Sequence, residues 1–337
     1  MRRHTEPPRG ALHRVTMDSE ALAANLLGDP SRRDIDVYLP PGRTDGAGLP
    51  LLVDLVGFTG SGLSHTSWKN FGENVPERVD RLIAEGRMSP VTIAFPDCFT
   101  RLGGNQYINS AAMGRWEDFL IEEMLPAVEG RFGCGGAGRR GVFGKSSGGY
   151  GAMVHAMRHA DVWAAAASHS GDVGFELLFG GDFPATLRVL ARHGLSIESF
   201  IRSIEEREKH KDDEIHALMV LAMAATYDPD PSSFLGIRLP IDLETCERIP
   251  DRWAAWLAWD PLTLVERHAS DLRRLKALYI DCGDVDQYNL VYGSRRMHRI
   301  LERIGVVHRY AEFPDDHSKV DYRMDESLPF LAAALSG

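Results

Sequence analysis

The chain has 337 residues, 44% of them hydrophobic and 26% charged, with a formal net charge of −10 at pH 7. That composition is the one expected of a soluble globular protein, long enough for one large α/β domain with an insertion or for two ordinary domains. The negative balance argues against the phosphate-neutralising surface that nucleic-acid binding needs.

The start, MRRHTEPPRG, is basic but is followed by no apolar run, unlike a secretory leader. The longest clean apolar stretch, ALMVLAMAA at 217–225, is too short to span a bilayer. A cytoplasmic protein with no membrane contact is therefore expected. Cys98, Cys134, Cys246 and Cys282 show no C-x-x-C spacing. Reduced thiols are expected from them, with no metal site.

In chain order, IDVYLPPG (35–42) and LPLLVDLVGF (49–58) are β-rich runs closed by Pro and Gly, which predicts strands. NVPERVDRLIAEG (74–86) has apolar residues at helical spacing, and SPVTIAFPD (89–97) is a short buried strand. RWEDFLIEEMLPAVEGRF (115–132) repeats the helical pattern through Trp116, Phe119, Leu120 and Met124. RRGVFGKSSGGYGAMVHAMRH (139–159) compresses strand, tight turn and helix. VWAAAASHSG (162–171), LKALYIDCGDVD (275–286) and VVHRYAEFPDDHS (306–318) are strands running into small or polar residues, with a helix over 292–305. Alternation of this kind predicts a mostly parallel sheet covered by helices on both faces, with functional groups at the carboxyl ends of its strands.

Residues 173–258 break the alternation and predict a mainly helical cap inserted into a single 1–337 α/β domain. The run EEREKHKDDE (205–214) is expected to form a solvated helix face. Trp253, Trp256 and Trp259 lie three apart, a helical stripe expected to pack the cap on the body.

The pattern G-x-S-x-G falls at Gly144, Ser146 and Gly148, between a short strand and a helix. A serine hydroxyl is a weak nucleophile unless a base lies within reach. A strand–turn–helix elbow exposes its oxygen to one. The base is expected beyond the last strand, at His317. The acid is expected after LYIDCG, where Asp286 is favoured over Asp284, and Asp281 is assigned backbone capping. The order Ser146, Asp286, His317 is that of α/β-hydrolases. Oxyanion-hole amides are expected from Ser147 and from Phe58, in the glycine-rich GFTGSG that begins at Gly57. His169, at the end of its strand, is read as a pocket wall. Tyr107 and Trp116 are the other pocket candidates, and Lys145 is given no chemical role.

The chain resembles the esterase family of α/β-hydrolases that includes S-formylglutathione hydrolases (the esterase D type), feruloyl esterases, enterochelin-type esterases and mycolyltransferases. VYLPPG, LLVDLVGFTGSG, FGKSSGGYGAM, DCGDVDQY and DDHS carry the resemblance over about three-quarters of the chain, with GGNQYINSAAMGRWEDFLIEEMLP beside them. It implies the α/β-hydrolase fold, the triad and oxyanion donors named above, and an acyl pocket walled by the loop from Asn105 to Ser110, Asn109 included. Many members carry His-Gly where this chain has Val56 and Gly57. The expectation is a serine ester hydrolase acting on a small acyl ester or thioester, without cofactor and compatible with self-association. The alternatives are an acyltransferase using the same triad and a non-catalytic ligand-binding protein.

Overall fold

Eight extended segments pair edge to edge in a computed structural model that describes residues 8–337. They are β1 (Ala11–Asp18), β2 (Arg32–Leu39), β3 (Leu51–Leu55), β4 (Thr92–Pro96), β5 (Arg140–Lys145), β6 (Ala165–His169), β7 (Ala277–Gly283) and β8 (Arg309–Phe313). The spatial order is 1-2-4-3-5-6-7-8, and β2 alone runs against the others. Every residue of β3, β4, β6 and β7 is buried, so these strands read as continuous apolar runs rather than alternating ones. This is the expected α/β-hydrolase architecture. The first residues of the opening segment, read above for a leader, lie outside the described residues. Among the described residues, no helix is long and apolar enough to cross a membrane.

The sheet separates two apolar layers. On one face α1 (Val75–Ala84) and the C-terminal α9 (Met324–Ser336) cover Phe143, Ala167 and Tyr279. A capping box starts α1: the Asn74 side chain accepts from the Glu77 amide at 2.8 Å, and Glu77 accepts from the Asn74 amide at 3.1 Å. On the other face lie α2 (Leu125–Phe132), α3 (Ser147–Arg158) and α8 (Leu290–Arg303), and that layer continues without a break into the cap.

Between β6 and β7 the chain forms α4 (Phe183–Ala191), α5 (Ile197–Glu205), α6 (Asp212–Tyr227) and α7 (Pro250–Leu257), the helical cap. Helix α6 is buried almost all round, as a helix apolar on every side must be. Trp253 and Trp256 are buried against Phe183, and Trp256 also meets Phe179 and Tyr227, so these two pack within the cap; of the stripe, Trp259 meets the body, with Arg158 of α3 over its ring.

Three local expectations need correction. The charged run 205–214 is chiefly the connection between α5 and α6, not a helix face. It turns where Arg207 reaches back to the buried Glu214 at 3.1 Å, and Glu214 in turn accepts from the Lys211 amide. The 115–132 helix contains a π-helical segment, Phe119–Met124, ahead of Pro126, which lacks the amide that regular pairing needs. Asp281 does not cap backbone; it belongs to a buried side-chain network described below. Two elements went unread: β1, an edge strand in which only Val15 is buried, and α9.

Candidate active site

β5 ends one residue before Ser146, and α3 begins one residue after it. Ser146 is forced into φ 57°, ψ −125°, a region costing a non-glycine residue about 1–3 kcal/mol. The turn is possible only because its flanks lack side chains. A Cβ at Gly148 would lie 1.8 Å from the Leu55 carbonyl oxygen, and one at Gly144 2.3 Å from the same atom. The Ser146 amide donates to the His169 carbonyl at 3.0 Å, and its carbonyl accepts from the Tyr150 amide at 2.9 Å. Backbone bonds thus hold the strained serine while its side chain lines a cavity of about 860 Å³.

The loop after β7 carries Asp286, and the loop after β8 carries His317. His317 Nδ1 stands 2.8 Å from Asp286 Oδ2. Because an ionised carboxylate only accepts, Nδ1 carries the proton and Nε2 is left basic. The second oxygen of Asp286 accepts from the Tyr288 amide at 2.9 Å, and the His317 amide donates to Gln287 Oε1 at 2.9 Å. Tyr288 meets the His317 ring edge-on at 4.8 Å, and His216 of α6 stacks on Tyr288. Ser146 and His317 line the same cavity. Asp284, the second choice for the acid, is exposed.

Gly57 and Phe58 form another wall of that cavity. The Phe58 carbonyl accepts from the Gly104 amide at 2.6 Å, and Tyr107 donates its hydroxyl to the Val56 carbonyl at 2.6 Å. Ser147 is the first residue of α3, where an amide has no partner within its own helix and the helix dipole is positive.

Four residues expected in the pocket are held elsewhere. Tyr107 is buried with its ring where a side chain at Gly151 would stand, so it buttresses the 56–58 loop from behind. Asn109 is tied to Asp118 at 2.7 Å in a small two-stranded ribbon. Trp116 is buried in the core with Arg33 over its ring. His169 points away from the cavity, to Asp281 at 2.6 Å and Ser327 at 2.8 Å.

Three residues of the site went unread or unassigned. Asp172, just beyond β6, lines the cavity as a buried carboxyl. Burial pushes its pKa up to about 6, with the Gln106 bond pulling the other way. Gln106 Nε2 reaches Asp172 at 3.1 Å, Ser147 Oγ at 2.9 Å and Met223 Sδ at 3.0 Å, and so joins the acid to the start of α3. Lys145 lines the cavity beside Ser146. A strand-end position was the available signal for Asp172, since SHSGD closes β6 as surely as DCGDVD closes β7. Gln106 lies in the 105–110 loop that the resemblance gives as a pocket wall, but no signal singled it out there.

The family model described as Putative esterase matches residues 30–325. The chain belongs to that esterase family. No curated protein sequence matches it. Among solved structures, this esterase-family chain is similar to a ferulic acid esterase at 19% identity and TM-score 0.63, covering 97% of this chain and 99% of that one. A fluorophosphonate-binding serine hydrolase of Staphylococcus aureus matches at 15% identity and TM-score 0.58, covering 98% and 99%. An S-formylglutathione hydrolase from Agrobacterium tumefaciens matches at 16% and 0.56, covering 98% of each chain. At such identities the likeness is one of fold, and the chemistry of this esterase-family chain has to be argued from its own residues.

Proposed function

We propose that this chain is a serine ester hydrolase that cleaves small acyl esters or thioesters through an acyl-enzyme on Ser146. The observation that carries the reading is His317, bonded to Asp286 at 2.8 Å, sharing one cavity with a serine held at positive φ on a strand–helix turn.

In the proposed sequence, His317 Nε2 accepts the Ser146 hydroxyl proton as Oγ bonds to the ester carbonyl carbon. The amides of Phe58 and Ser147 receive the oxyanion, in a site where fixed dipoles need no reorganisation. Collapse breaks the bond to the leaving group, which takes the proton from His317. Water then repeats the cycle on the acyl-enzyme, giving its proton to His317 and releasing the acid. Asp286 holds the Nδ1–H tautomer and stabilises the imidazolium without taking the proton. Gln106 and Tyr107 act at one remove, supporting the start of α3 and the 56–58 loop.

Burst-phase release of p-nitrophenol from acetyl, butyryl and octanoyl esters tests the reading. A burst stoichiometric with protein, absent in Ser146→Ala, is the expected result. A burst retained by that variant, or absent from folded wild type with every ester, overturns it.

A further inference from the structure

The cavity over Ser146 has two unlike ends. Beneath the cap it is lined by Leu178, Phe179, Ile215 and Met219, with Leu290 beside them. The other end is built by loops of the body and holds Lys145, Lys69, His65 and Asp321. Strand alternation assigns Lys145 to this end. It lies two residues after Phe143, so its side chain leaves the sheet on the α1 and α9 face, opposite the cap layer. Asp321, in the short turn before α9, and Lys69 act on it from that side.

The basic groups at this end are not all held in ion pairs among the described residues. Lys69 is paired with Asp321 at 2.6 Å. His65 is paired with the fully buried Asp54 at 2.6 Å. Burial alone would lower the His65 pKa, but the charge and hydrogen bond of Asp54 outweigh it and raise the value. Lys145 has no ion pair or hydrogen bond among the described residues, although it is largely withdrawn from water. Its pKa is lowered chiefly by burial and further by Lys69; Asp321, Asp286 and Asp316 push the other way. None of the three carboxylates serves as its partner: Asp321 is taken by Lys69, Asp286 by His317, and Asp316 is exposed. Among the described residues, Lys145 is thus the ammonium beside the nucleophile with no ion pair or hydrogen bond of its own. A half-buried ammonium with no bonded carboxylate gains a charge-assisted hydrogen bond from an anion that enters the same cavity.

We propose that this end of the cavity binds a carboxylate on the substrate, with Lys145 as its principal partner. The proposal rests on the ester-hydrolase reading and narrows it: the preferred substrate carries an anion on one side of the scissile bond and an apolar group on the other. Lys145 is a specificity residue in this scheme, and the anion it binds takes no part in bond cleavage.

Two matched substrate pairs test the proposal, each differing in charge but little in shape. p-Nitrophenyl hydrogen adipate against p-nitrophenyl 6-methylheptanoate puts the charge on the acyl side. 4-Carboxyphenyl butyrate against 4-carbamoylphenyl butyrate puts it on the alcohol side. The expected ratio of kcat/KM, anionic over neutral, is about tenfold or more in one pair, the size of one charge-assisted hydrogen bond. Lys145→Met is expected to collapse that ratio towards one, and Lys145→Arg to restore part of it. Ratios near or below one in both pairs, or a high ratio that Lys145→Met leaves unchanged, overturn the proposal. Absence of a burst with every ester would instead sink the hydrolase reading. Calorimetry with adipic acid monoamide, which needs no turnover, then still decides the binding claim. Binding weakened about tenfold in Lys145→Met supports it, whereas no binding, or equal binding in both proteins, overturns it.

Discussion

Two serine–histidine–aspartate groupings hang from neighbouring strands of this sheet, and only one of them meets a cavity. Ser146 and His317 line the cavity at the open edge, with Asp286 buried behind the histidine. Ser327, His169 and Asp281 lie beneath it, with links of 2.8 Å and 2.6 Å, and their exposures are 0%, 2% and 0%. By hydrogen bonds alone the buried set is the more complete, with its serine bonded to its histidine, whereas Ser146 and His317 share the lining of a cavity. Its aspartate, however, also accepts from Arg323 at 2.9 Å and Tyr279 at 3.0 Å. Burial alone would raise the Asp281 pKa; the charge and bond of His169, with those of Arg323, instead hold it below the ordinary value. Its serine sits within helix α9, unstrained and sealed from any substrate. Connectivity therefore does not identify a reactive serine. Access, and a backbone held in a costly conformation to present the oxygen, separate the two.

The serines give the largest expected contrast. Ser146→Ala should lose about 10⁴-fold or more in kcat together with the burst, the scale on which triad nucleophiles act. Ser327→Ala should keep a full burst per folded molecule and cost about 1–2 kcal/mol of stability, through the unpaired nitrogen left on His169. A Ser327→Ala protein that is stable yet loses its burst would make the buried set part of the chemistry.

The aspartates should divide the same way. Asp286→Asn should lower kcat about 10⁴-fold by favouring the wrong His317 tautomer, with little change in the unfolding midpoint. Asp281→Asn should do the reverse. It leaves Arg323 and His169 without their shared carboxylate and should cost about 3–5 kcal/mol, while the active-site titre of folded protein stays intact. Urea unfolding beside burst titration separates the two effects.

Asp172 supplies a test that depends on pH. Its carboxyl ordinarily titrates at 3.8 and is pushed up to about 6, first by burial, with no cation bonded to it. Between those values the folded chain keeps a proton that the unfolded chain has released. Stability from this group therefore falls as pH rises through the window, by up to about 3 kcal/mol, and stays low above it. Asp172→Asn cannot titrate, so it should be relatively more stable than wild type at pH 7.5 than at pH 4. If the difference in urea midpoints between the two proteins is flat with pH, Asp172 is not held protonated.

Much of this was legible in the sequence, and what was not has physical causes. Buried strands and amphipathic helices announce themselves through composition and period, so the alternation of β3 through β8 and the helical cap were readable. Edge strand β1 buries one residue and has little period to show. The elbow was readable because Gly144 and Gly148 are required by contacts of 2.3 Å and 1.8 Å with a neighbouring strand, which leaves a mark in the sequence. Side-chain direction leaves none. His169 and Lys145 are paired in adjacent strands, yet only Lys145 lines the cavity, because α9 offers His169 a serine. Tyr107 and Trp116 were assigned to the pocket by position in loop or helix, and both were taken by backbone carbonyls, those of Val56 and Met113.

The smallest effect is expected at Gly57, and it sharpens what the glycines of the site are for. A methyl at Gly57 would stand 3.4 Å from Ser146 Cβ and 4.0 Å from its Oγ, ordinary contacts that nothing needs to move to accept. At Gly148 the same methyl would overlap the Leu55 carbonyl. Gly148→Ala should therefore fail to fold or lose the elbow, whereas Gly57→Ala should fold with stability within about 0.5 kcal/mol of wild type. The added methyl narrows only the space beside the nucleophile. Its expected signature is a fall of a few-fold in kcat/KM for octanoyl esters and less for acetyl esters. An equal loss with both would mean that Gly57 serves the conformation of the oxyanion loop, and that the room beside Ser146 is not what limits the acyl group.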